Sequence, residues 1–294
     1  MTQTTCSLCP RACGAHRARR PGFCGGGALP RLARAGLHFW EEPCISGEKG
    51  SGAVFFSGCV LRCCFCQNHE ISAKNFGKEV SVSRLGEIFL RLAEEGAHNI
   101  NLVNPTHYVP QIIKALDAVK GRLAIPVVYN SGGYETVETI KMLKGYVDVF
   151  LPDFKYADSS LSQKYSGVKN YFAFAQAAIL QMVRQSGPPV FSQGLMKSGT
   201  IIRHLVLPGC ADDSIKVMRC IAQSFSPGEV YVSIMRQFVP CYQCALHPEL
   251  NRRVTTYEYR RVTDEAARLG LLGYTQERNS ADIGYTPSFD LSGL

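Results

Sequence analysis

Short apolar runs alternate with helical patterns along most of the chain. Six runs are rich in β-branched or aromatic residues, as buried strands are, and they lie at residues 53–57, 99–103, 125–129, 147–151, 201–207 and 229–235. Apolar positions between the runs recur at helical spacing, for example Leu85, Ile88, Phe89 and Leu92. The same reasoning predicts further helices at 135–145, within 158–186 and at 212–224.

The alternation of strands and helices predicts the fold class. Six strand–helix units indicate a parallel sheet with right-handed crossovers, but they are too few to close an eight-stranded barrel. We therefore predict an α/β fold, a partial, open (β/α)6 TIM-like barrel at residues 51–245. A Cys-rich metal-binding module at 1–50 precedes it, and a C-terminal helical extension at 246–294 follows. In the extension we expect a helix at 255–271 and an irregular tail after Gly273.

Composition narrows the cellular setting. Of the 294 residues, 46% are hydrophobic and 19% are charged, which is ordinary for a soluble globular protein. No apolar run approaches the roughly 20 residues that span a bilayer, and the first residues lack the apolar core of a signal peptide. We expect a cytoplasmic protein with no membrane partner.

Cysteine use points to metal binding. The chain has 13 cysteines, and most of them are grouped: four in 6–24, four in 59–66, and two at 241 and 244. A secreted disulfide scaffold would be shorter and would carry an export signal. Gaps of two and three residues instead suit thiolates that converge on one metal centre.

The charge distribution is uneven. The net charge is +8, and no acidic residue occurs between Met1 and Trp40, although that stretch holds six arginines. Such a stretch could bind nucleic acid or an acidic partner. It could also compensate the negative charge of four thiolates on one metal centre. We favour compensation, and expect no nucleic-acid partner, because the arginines lack the interleaved aromatic residues of single-strand-binding grooves.

The segments that follow the six strands are unusually polar and rich in glycine. They read GCVLRCCFCQN, NPTH, NSGGY, PDFK, PGC and RQFVPC in chain order. Because the carboxyl ends of parallel strands meet at one edge of a barrel, these segments predict a site at that edge.

The first of these segments holds the strongest motif. Cys59, Cys63 and Cys66 form a C-x₃-C-x₂-C loop directly after a strand. Three thiolates leave one iron of a four-iron cluster open, as a catalytic zinc also keeps an open position. A three-cysteine zinc site is a weaker alternative because its fourth ligand is missing. The adjacent Cys64 should point away from the cluster and serve in packing.

This loop, after the first strand of a six-fold βα pattern, resembles the signature of the radical S-adenosylmethionine (SAM) superfamily. The resemblance implies a [4Fe–4S] cluster on Cys59, Cys63 and Cys66 whose open iron binds SAM. An electron from a reductant such as flavodoxin or ferredoxin would then cleave SAM to methionine and a 5′-deoxyadenosyl radical. That radical would abstract hydrogen from a substrate.

The resemblance extends over almost the whole chain. Gln67-Asn68 and the segments 151–155 and 203–209 are similar to glycyl-radical activating enzymes. Together with 104–108, 194–197 and 248–253, they look most like the pyruvate formate-lyase activating enzyme-like branch. One departure is that Asn104-Pro105-Thr106 stands where activases carry a Gly-Gly-Glu-like stretch, which bears on the substrate of this chain.

The resemblance also implies roles for individual residues. Phe65 would lie beside the adenine. The loop of Asn104, Pro105 and Thr106 would meet the methionine amino group, and Asn130 and Ser131 would reach the ribose or carboxylate. The pocket floor would consist of Asp153, Lys155, Arg203 and His204. Two alternatives stay open: Asp153 and Lys155 could be only an ion pair, and His204 could be a core histidine.

A second metal site is predicted in the N-terminal module. Cys6, Cys9, Cys13 and Cys24 supply four thiolates with no open position, which suits a structural Zn²⁺ or a complete [4Fe–4S] cluster. A short segment with few apolar residues needs metal binding for its folding energy. We favour zinc, packed near the radical cluster, because nothing in the spacing demands iron. His16 is an alternative ligand.

The remaining cysteines are less informative. Cys241 and Cys244 form a CxxC pair after the sixth strand. The pair could be redox-active, donate hydrogen atoms, share ligation with the N-terminal cysteines or be inert. We interpret Cys44, Cys210 and Cys220 as packing residues.

The sequence therefore predicts a radical SAM enzyme with an unidentified substrate, for which a protein is one option. Activation of a glycyl-radical enzyme is the best-known activity of similar proteins. A non-enzymatic iron–sulfur or zinc protein in electron transfer or scaffolding is one alternative. A radical SAM enzyme that modifies nucleic acid is another, suggested only by the N-terminal arginines.

Overall fold

One sheet organises the chain in the computed structural model, which describes residues 5–277, 280 and 286–294. Within these residues the strands are β1 (Arg31–His38), β2 (Ser51–Phe56), β3 (Lys78–Glu79), β4 (Ile100–Val103), β5 (Val127–Ser131), β6 (Val149–Pro152), β7 (Val190–Ser192), β8 (Leu195–Leu205), β9 (Tyr231–Met235) and β10 (Gly273–Thr275). The helices are α1 (Pro43–Ser46), α2 (His69–Ser72), α3 (Val82–Glu94), α4 (Val109–Ala118), α5 (Val137–Met142), α6 (Ser159–Ser166), α7 (Tyr171–Ser186), α8 (Ala211–Ser224) and α9 (Thr256–Arg268). None of these helices is long and apolar enough to cross a membrane.

The centre of the sheet is parallel and follows chain order. Strands β2, β4, β5, β6, β8 and β9 are successive neighbours, and each pair is parallel. The sheet does not close, because β3 lies at one edge and β10 at the other. This confirms the prediction of an α/β fold with an open parallel sheet of TIM-like type.

Helix α3 shows how the apolar pattern sets the packing. Ser81 caps its first turn by accepting a hydrogen bond from the Arg84 N–H at 3.0 Å. The stripe of Leu85, Ile88, Phe89 and Leu92 that the sequence displays is fully buried. Those side chains join one core cluster with Val54 and Leu102 of the sheet. Helix α3 therefore packs on the sheet through its single apolar stripe.

The sheet extends at both edges beyond the predicted strands. Strand β1 pairs antiparallel with β2, with Ala35 opposite Val54 and Leu37 opposite Gly52. The predicted boundary at residues 50 and 51 therefore falls between two paired strands, and the three-part division of the chain stays a prediction. Strand β1 was missed because its sequence, RLARAGLH, is rich in arginine and alanine, which do not mark a strand.

The C-terminal segment is more ordered than its composition suggests. We expected irregular structure after Gly273, but residues 273–275 form β10, parallel to β9. Farther on, the Leu291 N–H donates to the Ala33 carbonyl and the Ala35 N–H donates to the Ser292 carbonyl, both at 3.0 Å. The end of the chain thus packs on β1. The parts of the expected tail at 278–279 and 281–285 lie outside the described residues.

The loop after β5 depends on one glycine. Gly133 has φ +77°, and a Cβ added there would overlap the Asp153 carbonyl oxygen, directly beyond β6. This close approach places the end of β5 against the end of β6, where polar residues collect. Gly145 has a similar φ of +80°, but a Cβ there would meet open space.

We predict that Gly133→Ala destabilises the fold more than Gly145→Ala. Both variants place alanine in left-handed backbone, which costs about 1–2 kcal/mol. Only Gly133→Ala adds a backbone overlap, which costs about another 1–3 kcal/mol. Denaturant titration of both variants measures the free energies of unfolding, and equal losses would contradict this view of the β5 loop.

Candidate active site

The three motif cysteines line one cleft at the carboxyl edge of the parallel sheet. They lie in the loop that follows β2, and Cys63 is buried whereas Cys59 and Cys66 are partly buried. The sulfur-bearing end of the cleft is shared with residues at or directly after the ends of β4, β5 and β6, including Asn104, Ser131, Asp153 and Lys155. The structure therefore brings the ends of successive strands to one place, as parallel topology requires.

Hydroxyl groups from two helices hold the thiols. The Ser166 hydroxyl donates to the Cys63 sulfur at 3.0 Å, and the Ser72 hydroxyl donates to the Cys66 sulfur at 3.2 Å. Burial, reinforced by the neighbouring Cys63 thiol, raises the pKa of the Cys66 thiol to about 12. The Cys66 thiol therefore holds its proton until a cation replaces it.

The donor set fits an iron–sulfur cluster with an open iron. Three thiols facing one cleft supply three of the four ligands that a cubane needs. Within the part of the chain that the structure describes, no group of three or more His, Cys, Asp or Glu side chains is arranged to hold a metal ion as it stands.

A guanidinium group organises the opposite wall of the cleft. Arg203, on β8, contacts Asp153 Oδ1 through Nε at 3.0 Å and Glu41 Oε2 through Nη1 at 3.1 Å. Its Nη2 also donates to Asn130 Oδ1 at 2.5 Å. The Asn130 amide donates in turn to Glu41 Oε1 at 3.2 Å. These contacts join β5, β6 and β8 to the segment after β1.

The charged side chains of this network are largely buried, so each one needs its partners. The exposed fractions of the Arg203, Glu41 and Asp153 side chains are only 14%, 10% and 15%. Burial raises the pKa of Asp153, but Lys155 and Arg203 lower it by more, so the carboxyl stays ionised. Removing one member of such a buried pair typically costs about 3–5 kcal/mol because the other charge loses its partner.

Lys155 is both an ion-pair partner and a cleft residue. Its Nζ lies 2.5 Å from Asp153 Oδ2, and the pair faces the cleft that the cysteines line. The Lys155 backbone N–H donates to the Tyr171 hydroxyl at 2.9 Å. That hydroxyl also lies 2.8 Å from the Asp153 carbonyl oxygen and 2.9 Å from the Gly132 carbonyl oxygen. Helix α7 thus fixes both polar segments through one tyrosine.

The segment after β4 is divided between the cleft and the core. Asn104 lines the cleft, and its side chain donates to the Gly58 carbonyl from a left-handed backbone conformation with φ +57°. Pro105 and Thr106 are not among the described residues that line it. The buried Thr106 hydroxyl donates to Glu135 Oε1 at 2.8 Å. Burial raises the pKa of Glu135 to about 7.

Phe65 lies in the cleft wall beside other aromatic rings. Its ring centroid is 6.1 Å from that of Phe238 and 6.5 Å from that of Tyr165. The exposed fraction of Phe65 is 7%, so little of it is open to the cleft. An aromatic side chain in the wall of a cleft suits a flat aromatic ligand group.

His204 lies away from the cleft, which agrees with the alternative that it is a core histidine. It follows Arg203 on β8, so the two side chains point to opposite faces of the strand. Its Nδ1 is 2.7 Å from the Phe154 carbonyl oxygen, and its Nε2 is 2.8 Å from the Ser214 hydroxyl of α8. Burial lowers the pKa of His204 to about 4, so it is a neutral core histidine. The geometry corrects its expected place on the pocket floor.

Glu41 and Glu42 were not predicted as site residues. Glu41 completes the Arg203 network, and its Oε1 also accepts from the Asn101 amide at 2.9 Å. A signal was present, because this pair is the first acidic residue pair after forty residues without an acid. The role of Glu41 could not be predicted because its partner Arg203 lies 162 positions away in the sequence.

The N-terminal cysteine segment packs directly on the loop that carries Cys59, Cys63 and Cys66. The Cys59 N–H donates to the Cys24 carbonyl at 3.1 Å, and Arg11 Nε donates to the Val60 carbonyl at 2.8 Å. A Cβ added at Gly22 would lie 3.4 Å from the Cys13 sulfur and 3.4 Å from the Cys24 sulfur, so the two sulfurs lie on the same side of Gly22. Burial raises the pKa of Cys9 to about 12, and the neighbouring thiols of Cys24, Cys6 and Cys13 add to the increase.

The CxxC pair lies behind the same loop. The Gln243 N–H donates to the Cys64 carbonyl at 3.0 Å, and the Cys241 sulfur is 3.5 Å from the Phe65 carbonyl oxygen. Cys64 is buried and packs in the core cluster with Cys244. Among the described residues of the cleft walls, neither Cys64 nor Cys244 appears.

An open parallel barrel with a three-cysteine loop after its first parallel strand defines a class of iron–sulfur enzymes. The sequence profile of the radical SAM superfamily matches residues 53–218. An uncharacterized protein of Methanocaldococcus jannaschii is 30% identical over 281 residues, which cover 90% of this chain and 75% of that protein. The chain belongs to the radical SAM superfamily, and membership implies SAM and an iron–sulfur cluster.

Solved structures share the fold at low identity. Streptococcus suis SuiB bound to its precursor peptide SuiA matches with a TM-score of 0.51 and 13% identity, over 74% of this chain and 46% of SuiB. A radical SAM methyltransferase from Sphaerobacter thermophilus also matches with a TM-score of 0.51 and 13% identity, over 77% of this chain and 66% of that chain. The chain thus spans less than two thirds of each of these structures.

Proposed function

We propose that this chain is a radical SAM enzyme that cleaves SAM reductively and abstracts hydrogen from a substrate. The observation that carries the proposal is the cleft itself. Three thiols stand at one end, and a fixed network of one guanidinium, two carboxylates and an ammonium stands beside them. An electron carrier needs no such cleft, because its cluster has all four irons ligated.

Each part of the cleft has a role in this proposal. Cys59, Cys63 and Cys66 would hold the [4Fe–4S] cluster. When bound, that cluster and SAM supply an electron and a 5′-deoxyadenosyl radical. Phe65 would flank the adenine, and the polar groups that line the cleft would position the rest of SAM: Asn104, Asn130, Ser131, Asp153, Lys155 and Arg203.

The network holds its charged groups in fixed positions beside the cleft. Lys155 and Arg203 are both held by Asp153, so their positive charges face the cleft without needing to reorganise. The burial of these side chains keeps bulk water from screening them. Such a wall would bind the carboxylate of SAM and hold it in place while the bond to sulfur breaks.

We propose a protein or peptide as substrate and a flavodoxin or ferredoxin as reductant. The segment similarities to pyruvate formate-lyase activating enzyme-like proteins support a protein substrate. SuiB, which shares the fold, is described with its precursor peptide SuiA. The Asn-Pro-Thr segment at 104–106 argues for a target other than that of the glycyl-radical activases.

We predict that Cys63→Ala abolishes reductive SAM cleavage whereas Cys64→Ala retains it. Both changes delete a buried sulfur from the same loop, but only Cys63 lines the cleft. The measurement is 5′-deoxyadenosine release by anaerobically reconstituted protein with a strong reductant. Equal release by the wild type and Cys63→Ala, or no release by the wild type, would contradict the proposed function.

We also propose a second metal site on Cys6, Cys9, Cys13 and Cys24. Cys9 and Cys24 are buried, and the Cys24 sulfur lies near the Gly26 N–H at 3.4 Å and Arg17 Nη2 at 3.5 Å. These donors would stabilise a thiolate beside a cation. We favour a structural zinc, and a complete [4Fe–4S] cluster is the alternative.

We predict that changing Cys9 and Cys13 together to Ser removes one zinc per chain and leaves about four irons, the content of one cubane. Metal analysis of anaerobically purified protein checks this, with Cys220→Ser as a control outside both cysteine groups. Loss of four irons instead would assign a second cluster to the module. Unchanged zinc and iron would show that these cysteines bind no metal.

A further inference from the structure

A second cavity adjoins the SAM cleft at the end of the sheet formed by β9 and β10. Its volume is about 320 Å³, within the usual range for a small-ligand site. Five residues line both spaces: Trp40, Glu41, Arg203, Met235 and Gln237. The cavity and the cleft are therefore direct neighbours.

A buried carboxylate without a full set of partners lines this cavity. The exposed fraction of Glu42 is 8%, yet its Oε2 has no hydrogen-bond partner. Ser233 bonds to the same carboxyl group, but nothing in the described residues satisfies the second oxygen. An unsatisfied carboxylate oxygen in a protein interior is costly, so its retention points to a ligand group.

The charges of the cavity indicate what that group is. Its described walls carry three carboxylates, on Glu41, Glu42 and Glu277, and one cation, on Arg203. Arg203 is already engaged by Glu41 and Asp153. Burial raises the pKa of Glu42, Arg203 lowers it, and Glu41 raises it again. The described walls therefore carry more carboxyl groups than cations, and their one cation is shared with Glu41 and Asp153.

We propose that this cavity is the substrate subsite and that Glu42 binds a primary ammonium group of the substrate. One free oxygen can accept one N–H of a compact ammonium, whereas the fork of a guanidinium favours a carboxylate with both oxygens free. The inference rests on the proposed function only in treating the neighbouring cleft as the SAM site. An amine held here would present the rest of its molecule to that cleft.

The test measures amine binding directly by calorimetry on the cluster-reconstituted full chain, with and without SAM. The probes are n-butylammonium, n-butanol as its neutral analogue, and Nα-acetyl-lysine methylamide. We expect n-butylammonium to bind at least about tenfold more tightly to the wild type than to Glu42→Gln, since a charge-assisted hydrogen bond is lost. Glu48→Gln, the same change at an exposed position, should bind as the wild type does.

The probes also separate two sources of the ammonium group. Tighter binding of the lysine amide would assign it to a lysine side chain of a peptide, and tighter binding of n-butylammonium would assign it to a small amine. Equal amine affinity in the wild type and Glu42→Gln, or n-butanol binding as tightly as n-butylammonium, would overturn the proposal. If Glu42→Gln does not fold, Glu42→Asp takes its place, with a severalfold loss expected and an unchanged affinity contradicting the proposal.

The outcome is independent of SAM chemistry. A chain that binds amines through Glu42 but releases no 5′-deoxyadenosine would retain the subsite and refute the proposed function. A chain that cleaves SAM but binds amines equally well without the Glu42 carboxylate would retain the proposed function and refute the subsite.

Discussion

The buried guanidinium of Arg203 is the contact on which the site depends. It joins Asp153, Asn130 and Glu41, which lie 50, 73 and 162 positions away in the sequence. Because the charge is removed from water, it is tolerated only when these partners surround it. The requirement fixes the ends of β5, β6 and β8 relative to one another and holds the segment after β1 over the cleft.

The parallel core could be predicted because its strands are buried on both faces and therefore read as continuous apolar runs. Two-residue periodicity also accounts for Asp153 and Lys155, which both line the cleft. The same periodicity separates the neighbours Arg203 and His204, and the resemblance had assigned both to the pocket. Strand β1 could not be predicted, since it is stabilised by pairing with β2 and by the returning C-terminal segment rather than by its own composition.

Long-range polar contacts were beyond sequence reasoning for a different reason. Glu41, Ser72, Ser166 and Tyr171 are common residue types in unremarkable local sequence, and their roles arise only when distant segments meet. The cysteine loop was visible because its three cysteines are close in sequence as well as in space. Its surroundings were not, because a hydrogen bond to a sulfur leaves no spacing signature.

The N-terminal module is joined by hydrogen bonds to the loop that carries Cys59, Cys63 and Cys66. The Cys24 carbonyl accepts from the Cys59 N–H, and Gly58 is held at φ +88° where a Cβ would overlap that same carbonyl. Arg11 reaches across to Val60 and to the end of α6. A change in the conformation of the module would therefore be felt at the first ligand of the proposed cluster.

The central claim is that a cluster held by Cys59, Cys63 and Cys66 has an open iron that binds SAM in this cleft. Electron paramagnetic resonance of the reduced, reconstituted chain during SAM titration tests it most directly. The claim predicts that the cluster signal changes on SAM addition and that the change saturates at one SAM per cluster. A fully loaded cluster whose signal is unaltered by excess SAM would contradict it.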